Sequence, residues 1–236
     1  MKTLPNINIL PTHTILLPVL NKEVDFSPFT VEHEKAIITA LDGNDTNAVI
    51  KNYESVIKSC LKTELEWDSL SVVDYINLII FIRAKSKGEN IELRRESCSK
   101  CKEPFEFSIN IEDAVKHKNV GCVKEVIELS NELSLEIAPL NYKFLYGLDK
   151  VKTEMDMYVH TAAYSISKVF WNNEIFIASP EDLKQNVIKN LRRSDLEKIF
   201  KKYADLATIY MEVEYKCPSC GEAEKEVINN FLKSLT

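Results

Sequence analysis

Four cysteines are arranged as two Cys-x-x-Cys pairs, and thiols at this spacing are suited to binding a metal ion. The pairs are Cys98 with Cys101 and Cys217 with Cys220. Each pair lies between two segments typical of β-strands, which is the layout of a zinc knuckle, where a tight turn aims two thiolates at one ion. Gly221 follows the second pair and can adopt the positive φ that such a turn uses. Because two knuckles supply the four sulfurs that structural zinc prefers, the sequence predicts one structural zinc site with four cysteine ligands.

The two pairs are far apart in the chain. About 115 residues separate Cys101 from Cys217. Closing a loop of this length costs roughly 4 kcal/mol by the logarithmic rule, whereas structural zinc contributes about 10–16 kcal/mol in small peptides. We therefore expect the two hairpins side by side, with the intervening residues as an insertion.

Other uses of these thiols are a redox dithiol, or free thiols that bind nothing. A redox Cys-x-x-Cys is expected at a junction from strand to helix, which neither pair occupies. Four cysteine ligands leave no open coordination position, so a catalytic zinc is disfavoured. Cys60 is typical of a small core residue on a helix. Cys122 lies near His117 but has no second pair of ligands nearby.

The sequence contains no motif of a common enzyme class. It has no Gly-rich phosphate loop, no His-Glu-x-x-His and no Gly-x-Ser-x-Gly. The four histidines belong to no recognisable acid–base or nucleophile signature. They are His13, His33, His117 and His160. The expectation is a protein that is not an enzyme.

Basic residues are concentrated in two stretches, which raises the question of nucleic-acid binding. Residues 83–102 hold seven basic residues against three glutamates, whereas residues 212–226 hold five glutamates against two lysines. Adjacent hairpins would therefore present mixed charge and not a phosphate-binding face. Residues 184–202 hold seven basic and two acidic residues and are typical of the solvated face of two helices. A zinc-ribbon factor that regulates through nucleic acid is the alternative function, and nucleic acid is a disfavoured partner.

Two short segments resemble a known family. Residues 26–35 read Phe-Ser-Pro-Phe-Thr-Val-Glu-His-Glu-Lys, and residues 81–89 read Phe-Ile-Arg-Ala-Lys-Ser-Lys-Gly-Glu directly before a strand and a cysteine knuckle. Both are similar to signatures of the T-even-type bacteriophage baseplate hub and hub-assembly proteins. The resemblance is clearest over residues 11–111. It does not itself require four cysteines, so the zinc prediction rests on their spacing.

The resemblance implies a non-enzymatic role in building the central hub of a contractile-tail baseplate. It implies other baseplate hub proteins as partners, and a location in the infected host cytoplasm or in the virion baseplate. It transfers no catalytic residue. A permanent hub subunit and an assembly factor that leaves are both compatible with it, and the oligomeric state stays open.

Three cations lie where the second signature segment ends a helix. Arg83, Lys85 and Lys87 can simply stabilise the negative C-terminal end of the helix dipole. The functional alternative is that the turn from Arg83 to Glu89 is a docking surface for another hub protein.

The elements that position these residues are predicted from caps and apolar spacing. Strands are expected at 14–20 and 23–26, followed by helices that begin after Thr30, span 46–61, and run from Ser71 to near Gly88. Strands at 90–97 and 105–111 flank the first knuckle, and strands at 209–216 and 223–228 flank the second. Between the knuckles we expect helices at 112–118 and about 150–171, a strand at 133–138, and helices opened by Ser179-Pro180 and by Ser194. A short C-terminal helix is expected to end the chain.

Bulk composition is that of a globular protein. Of 236 residues, 45% are hydrophobic and 28% charged, and the net charge is −6. No apolar run approaches the roughly 20 residues of a membrane span. The first ten residues lack the layout of a signal peptide, so a reducing cytoplasm is expected, where cysteines favour metal or free thiols.

These observations predict an α+β protein with a helix-rich body and a small β lobe formed by two zinc-knuckle hairpins. Residues 1–89 would form the N-terminal strands and helical body. Residues 90–236 would form a zinc-ribbon-like β lobe, from 90–111 and 209–228, with a helical insertion at 112–208.

Overall fold

The computed structural model of the chain describes residues 10–43, 45–121 and 124–228. Its helices are α1 (Val31–Asp42), α2 (Thr46–Cys60), α3 (Val72–Lys87), α4 (Ile111–Ala114), α5 (Glu154–Ser165), α6 (Pro180–Asp182) and α7 (Arg193–Tyr203). Its strands are β1 (His13–Leu17), β2 (Lys22–Phe26), β3 (Asn90–Arg95), β4 (Phe105–Asn110), β5 (Val115–Lys118), β6 (Glu125–Glu128), β7 (Leu133–Ile137), β8 (Ile166–Trp171), β9 (Glu174–Phe176), β10 (Thr208–Lys216) and β11 (Ala223–Ile228). This mixture confirms the α+β class.

The first three helices begin and end where their caps predict. The side chain of Thr30 accepts from the third residue of α1, and Asp45 and Ser71 cap α2 and α3 in the same way. Gly88 ends α3 with φ +101°, a conformation that glycine adopts without steric cost. Most of α3 is buried, as its apolar surface predicts.

The strands form four antiparallel sheets. Two are the hairpins β1-β2 and β3-β4, the third has the order β11-β10-β5, and the fourth has the order β6-β7-β8-β9. The register between β3 and β4 places Arg95 opposite Phe105, so the first cysteine pair lies in the loop between them. The register between β10 and β11 places Lys216 opposite Ala223, and the second pair lies in that loop.

Buried side chains form two clusters. The larger surrounds α3 and includes Leu78 together with Ile91, Phe105 and Tyr215 from the cysteine-bearing hairpins. The inward side chains of the two hairpins pack towards α3, so the predicted small β lobe shares its core with the helical body. The second cluster lies between α5, α7 and the sheet β6–β9. The division of the chain at residue 89 stays a prediction.

The segment 112–208, predicted as a helical insertion, contains the strands β5–β9 as well as helices. The helix expected at 150–171 ends at Ser165, and Ile166–Trp171 is β8. Ile166 and Phe170 continue the helical spacing by coincidence, because this β-branched and aromatic segment pairs with β7 instead. Similarly, the helix expected at 112–118 ends at Ala114, where β5 begins and pairs with β10.

The start of α7 also differs from the expectation. Its first residue is Arg193, so Ser194 lies inside the helix. Arg192 is the residue before the helix, and the carboxylate of Asp195 in the first turn accepts from its backbone N–H, so Ser194 does not cap α7. The predicted C-terminal helix falls on residues 229–236, outside the described residues. Within the described ranges no helix is long and apolar enough to cross a membrane.

Candidate metal centre

The loop between β3 and β4 is a tight turn that carries the first two cysteines. The backbone N–H of Cys98 donates to the carbonyl of Glu103 at 2.9 Å, and the N–H of Lys102 donates back to the carbonyl of Cys98 at 3.1 Å. Lys102 has φ +65°, which a non-glycine residue rarely adopts. Its ammonium donates to the carbonyl of Ser99 at 2.8 Å. The turn brings the thiols of Cys98 and Cys101 to the same side.

The loop between β10 and β11 repeats this geometry residue for residue. The N–H of Cys217 donates to the carbonyl of Glu222 at 2.8 Å, and the N–H of Gly221 donates to the carbonyl of Cys217 at 2.9 Å. Gly221 has φ +73° and takes the place that Lys102 holds in the first loop. The sequence alone does not show that the two loops are equivalent, because lysine follows the first cysteine pair and glycine follows the second.

The structure brings all four predicted thiols together. Their sulfur atoms lie within 4.8 Å of one another. The Sγ atoms of Cys98 and Cys220 are 3.7 Å apart, and those of Cys101 and Cys217 are 3.6 Å apart. A tetrahedron with Zn–S bonds of about 2.3 Å has sulfur–sulfur edges of about 3.8 Å, whereas a disulfide bond is about 2.05 Å long. The cluster therefore fits a four-coordinate metal ion, and its cysteines are free thiols.

The local electrostatic environment gives the thiols of Cys98 and Cys101 different pKa values. The backbone N–H groups of Cys101 and Lys100 lower the pKa of Cys98 to about 7. For Cys101, the N–H of Glu103 acts to lower the pKa, but burial and the three neighbouring thiols outweigh it and raise the pKa to about 12. A second thiolate beside the first is disfavoured by repulsion. A divalent cation among the sulfurs would remove that repulsion, so the donor set suits a soft cation such as Zn²⁺.

Opposite charges hold the two hairpins against each other. The guanidinium of Arg95 lies 2.9 Å from a carboxylate oxygen of Glu226, and the ammonium of Lys100 lies 3.3 Å from Glu222. Basic residues of the first hairpin and acidic residues of the second therefore form ion pairs between the hairpins. The complementary bias is visible in the sequence and is the signal for such pairs, but it does not identify which residues pair.

An aromatic layer supports the same junction. The rings of Phe107 and Tyr215 have centroids 4.6 Å apart, and Phe105 packs 5.7 Å from Tyr215. Glu224 bridges the hairpins because it accepts from the hydroxyl of Tyr215 at 2.9 Å and from the backbone N–H of Ser99 at 3.3 Å. The metal-binding turns are thus positioned by packing as well as by any bound ion.

Comparison with known proteins decides the family. The sequence model that describes the T4 bacteriophage base plate protein matches residues 10–235, nearly the whole chain. The chain belongs to this family. None of the curated proteins and none of the solved structures is significantly similar to this base plate protein. The match confirms the resemblance seen in the two signature segments at the level of a T4-type base plate protein.

The three cations at the end of α3 all have partners inside this base plate protein. The contacts are Arg83 with the carbonyl of Gly88 at 3.4 Å, Lys85 with Glu89 at 2.6 Å and Glu112 at 2.9 Å, and Lys87 with Glu34 at 2.9 Å. The ion pair of Lys85 with Glu112 joins α3 to α4, and the ion pair of Lys87 with Glu34 joins α3 to α1. The turn therefore helps to hold α1, α3 and α4 together. Its use as a docking surface stays a prediction.

One serine–histidine pair in the base plate protein has the spacing of a nucleophile and a base. The Nδ1 atom of His33 accepts from the backbone N–H of Thr30 at 3.2 Å, so the proton of the neutral ring is on Nε2, 3.0 Å from the Oγ of Ser59. The hydroxyl of Ser59 donates to the carbonyl of Val56 at 2.7 Å. In this tautomer the imidazole of His33 donates to Ser59 and cannot accept its proton. His33 therefore caps α1, and Ser59 lacks a base.

The remaining singled-out residues lie apart from the metal centre. Cys60 is fully buried on α2, and burial raises its pKa to about 11. Cys122 lies outside the described residues. Much of the basic stretch 184–202 is engaged within the chain. These contacts are Arg192 with Asp195, Arg193 with Glu197, Lys202 with Glu125, and Lys184 over the ring of Tyr164.

Proposed function

We propose that this base plate protein is a non-enzymatic structural or assembly component of the hub of a contractile-tail baseplate, and that it acts through contacts with other hub proteins. The family match over residues 10–235 is the observation that carries this proposal. The hub assignment rests on the resemblance of segments 26–35 and 81–89 to hub signatures. The corresponding location is the host cytoplasm during assembly and, for a permanent subunit, the virion.

We further propose that the four cysteines bind one structural Zn²⁺. Four thiolates fill the tetrahedron, so no position is open for substrate or activated water. The bound ion would tie residues 98–101 to residues 217–220 and so fix the junction between the β3-β4 and β10-β11 hairpins. In this role the metal stabilises a shape that other hub proteins recognise, and it takes no part in a reaction.

Mass spectrometry of purified virions, combined with an amber mutant of the phage that encodes the chain, tests the hub role. A permanent subunit is present at fixed stoichiometry in wild-type particles and absent from the defective mutant particles. An assembly factor is absent from both, yet its loss prevents complete baseplates from forming. Normal, infectious particles in the absence of the protein would contradict both roles.

A salt titration distinguishes the hub protein from the alternative function, a nucleic-acid-associated zinc ribbon. Phosphate contacts by lysine and arginine make affinity fall steeply as salt rises. The cations Arg95 and Lys100 near the metal centre are already paired with glutamates. We therefore expect weak binding to DNA and RNA at all salt concentrations. Tight and salt-sensitive binding would favour the ribbon factor over the hub protein.

A further inference from the structure

The hairpin β8-β9 forms one end of the sheet β6-β7-β8-β9. Its turn consists of Asn172 and Asn173, which have φ +50° and +68°. Two positive φ values in a two-residue loop are typical of a type I′ turn, whose twist matches that of the flanking strands. The N–H of Asn172 also donates to the carbonyl of Glu132 at 3.1 Å, which joins the turn to the loop before β7.

Large apolar side chains are exposed along this hairpin. Ile175 and Ile177 are 62% and 79% exposed, and Phe176 and Trp171 are 45% and 44% exposed. No other part of the described chain carries so many consecutive exposed apolar residues. Contiguous apolar surface on a folded protein marks an interaction site more often than scattered single residues do.

Ile175 and Phe176 lie on β9, at the edge of a sheet, and Ile177 follows this strand directly. In the order β6-β7-β8-β9, the outer side of β9 pairs with no strand among the described residues. Every second backbone N–H and C=O of an antiparallel edge strand points outward, where an added strand can pair with it. At the opposite edge, Glu125 of β6 is paired with Lys202 of α7 at 3.0 Å. Within the described part of the chain neither edge strand has a second strand partner, and β9 is the edge with consecutive exposed apolar residues.

Exposed acidic residues lie on β9 and close to it in the chain. Glu174 lies on β9 itself, and Glu132 lies at the loop bonded to the turn. Glu181 and Asp182 follow at the start of α6, and all four are exposed. Lys168, the cation of β8, is already paired with Glu136 at 3.4 Å. The hairpin and the segments that adjoin it therefore carry four exposed acidic residues, which are called the acidic rim below.

We propose that β9 binds an extended apolar segment, flanked by lysine or arginine, of another baseplate protein, and that this segment adds as a fifth strand to the sheet. Main-chain hydrogen bonds and the side chains of Ile175 and Ile177 supply the contact, and the acidic rim selects a basic partner. A second copy of the chain fits less well, since a two-fold pairing of β9 strands brings two acidic rims together. This inference rests on the proposed function, which supplies the class of partner.

Three synthetic peptides test the proposal on the full chain by fluorescence anisotropy. The first, KKTVIVTVKK, is an apolar strand with lysine flanks, and the second, EETVIVTVEE, has glutamate flanks. The third, KKTPPPPVKK, has four consecutive prolines, so both of its edges lack N–H groups and neither can pair. We expect the first to bind at least tenfold more tightly than the others at low salt. Its advantage over the glutamate peptide should shrink at high salt, because the rim charges are exposed and screened.

Variants of the sheet provide the matched control. The double variant Ile175→Thr with Ile177→Thr keeps β-branched residues but removes apolar surface, and should weaken the lysine peptide at least tenfold. Val126→Thr, at an exposed apolar position of β6 at the other edge, should leave binding unchanged. Circular dichroism checks that each variant folds.

Several results would overturn the proposal. These are absent binding, equal affinity for the lysine and glutamate peptides, equal loss in the Val126→Thr control, or a concentration-dependent dimer in sedimentation that the double variant abolishes. The last result would identify a second copy as the occupant. None of these results alters whether the protein is found in virions or is needed for assembly, so failure here is distinguishable from failure of the hub role.

Discussion

The backbone N–H of Phe29 donates a 2.7 Å hydrogen bond to the Oγ of Ser86. These residues belong to the two segments that carry the family resemblance, 26–35 and 81–89. The hydroxyl of Ser86 in turn donates to the carbonyl of Ile82 one turn earlier in α3. The signature segments are therefore two halves of one internal contact, which positions the start of α1 against the end of α3.

Replacing Ser86 by alanine tests this contact. The variant leaves the half-buried N–H of Phe29 without its acceptor, and we expect the free energy of unfolding to fall by about 1–2 kcal/mol. Ser69→Ala is the matched control, because that hydroxyl is exposed and bonds only to the nearby carbonyl of Glu66. Urea denaturation measures both, and equal stability of the two variants would show that the contact contributes little.

A charge swap separates the internal role of Lys87 from docking. Its ion pair with Glu34 is partly exposed, so Lys87→Glu should destabilise by no more than about 1 kcal/mol, and adding Glu34→Lys should restore the loss. If the turn also docks a hub protein, the swapped double variant regains stability but not co-purification with that protein. Full recovery of co-purification by the swap would argue against docking through Lys87.

Metal removal should affect the chain through its four clustered thiols. We expect one zinc per chain in protein purified under reducing conditions, and loss of that zinc in Cys98→Ser or Cys217→Ser. Thermal unfolding in a chelator should occur at a clearly lower temperature, because bound metal stabilises only the folded state. Cys60→Ala is the control, since this thiol lies in the core and should lose stability without losing zinc. Metal content well below one equivalent in wild-type protein would refute the zinc site.

The two knuckles differ at one strained position, which allows a stabilising substitution. In Lys102→Gly, removing the strain of the left-handed backbone should stabilise the fold by about 1–2 kcal/mol. The greater conformational entropy of glycine in the unfolded chain should cost about 0.5–1 kcal/mol, which is less. We expect a net gain of about 0.5 kcal/mol in chemical denaturation. Gly221→Ala should instead lose about 1 kcal/mol, and through strain alone, since the added Cβ meets Lys216 at an ordinary 3.8 Å. A loss of stability in Lys102→Gly would contradict the equivalence of the loops.

The cap of α7 should make stability depend on pH. Hydrogen bonds from Arg192 lower the pKa of the buried Asp195 carboxyl below its ordinary value of about 3.9. The charged form is thus favoured by folding, so its contribution is present above about pH 4 and is lost as pH falls through the folded-state pKa. Asp195→Asn should cost about 1 kcal/mol at pH 7 and progressively less below pH 4. Ser194→Ala in the same turn changes no titratable group, and its effect should show no such trend in urea denaturation at several pH values.

Local signals in the sequence predict much of the first half of this fold. Thr30, Ser71 and Gly88 mark helix ends through side-chain hydrogen bonds and backbone freedom, which depend on few neighbours. The Cys-x-x-Cys spacing similarly predicts each turn, because its geometry is local. These features need no knowledge of distant contacts.

The errors lie where distant pairing decides the structure. Residues 166–171 have apolar side chains at both helical and strand spacing, and only the presence of β7 as a partner selects the strand. The pairing of Arg95 with Glu226 likewise depends on which hairpins meet. The exposed hairpin around Ile175 was missed because three-residue strands give almost no periodic signal.

The two cysteine pairs are synthesised at different times, because they are far apart in the chain. Cys217 leaves the ribosome 116 residues after Cys101, a delay of roughly 6–25 s at usual rates of synthesis. Until then the first hairpin has only two of the four ligands, and a chain that stops early never obtains the others. Closure of the site therefore reports that translation has passed residue 220, so a chain that stops before this residue cannot present the finished hairpin junction to an assembling tail.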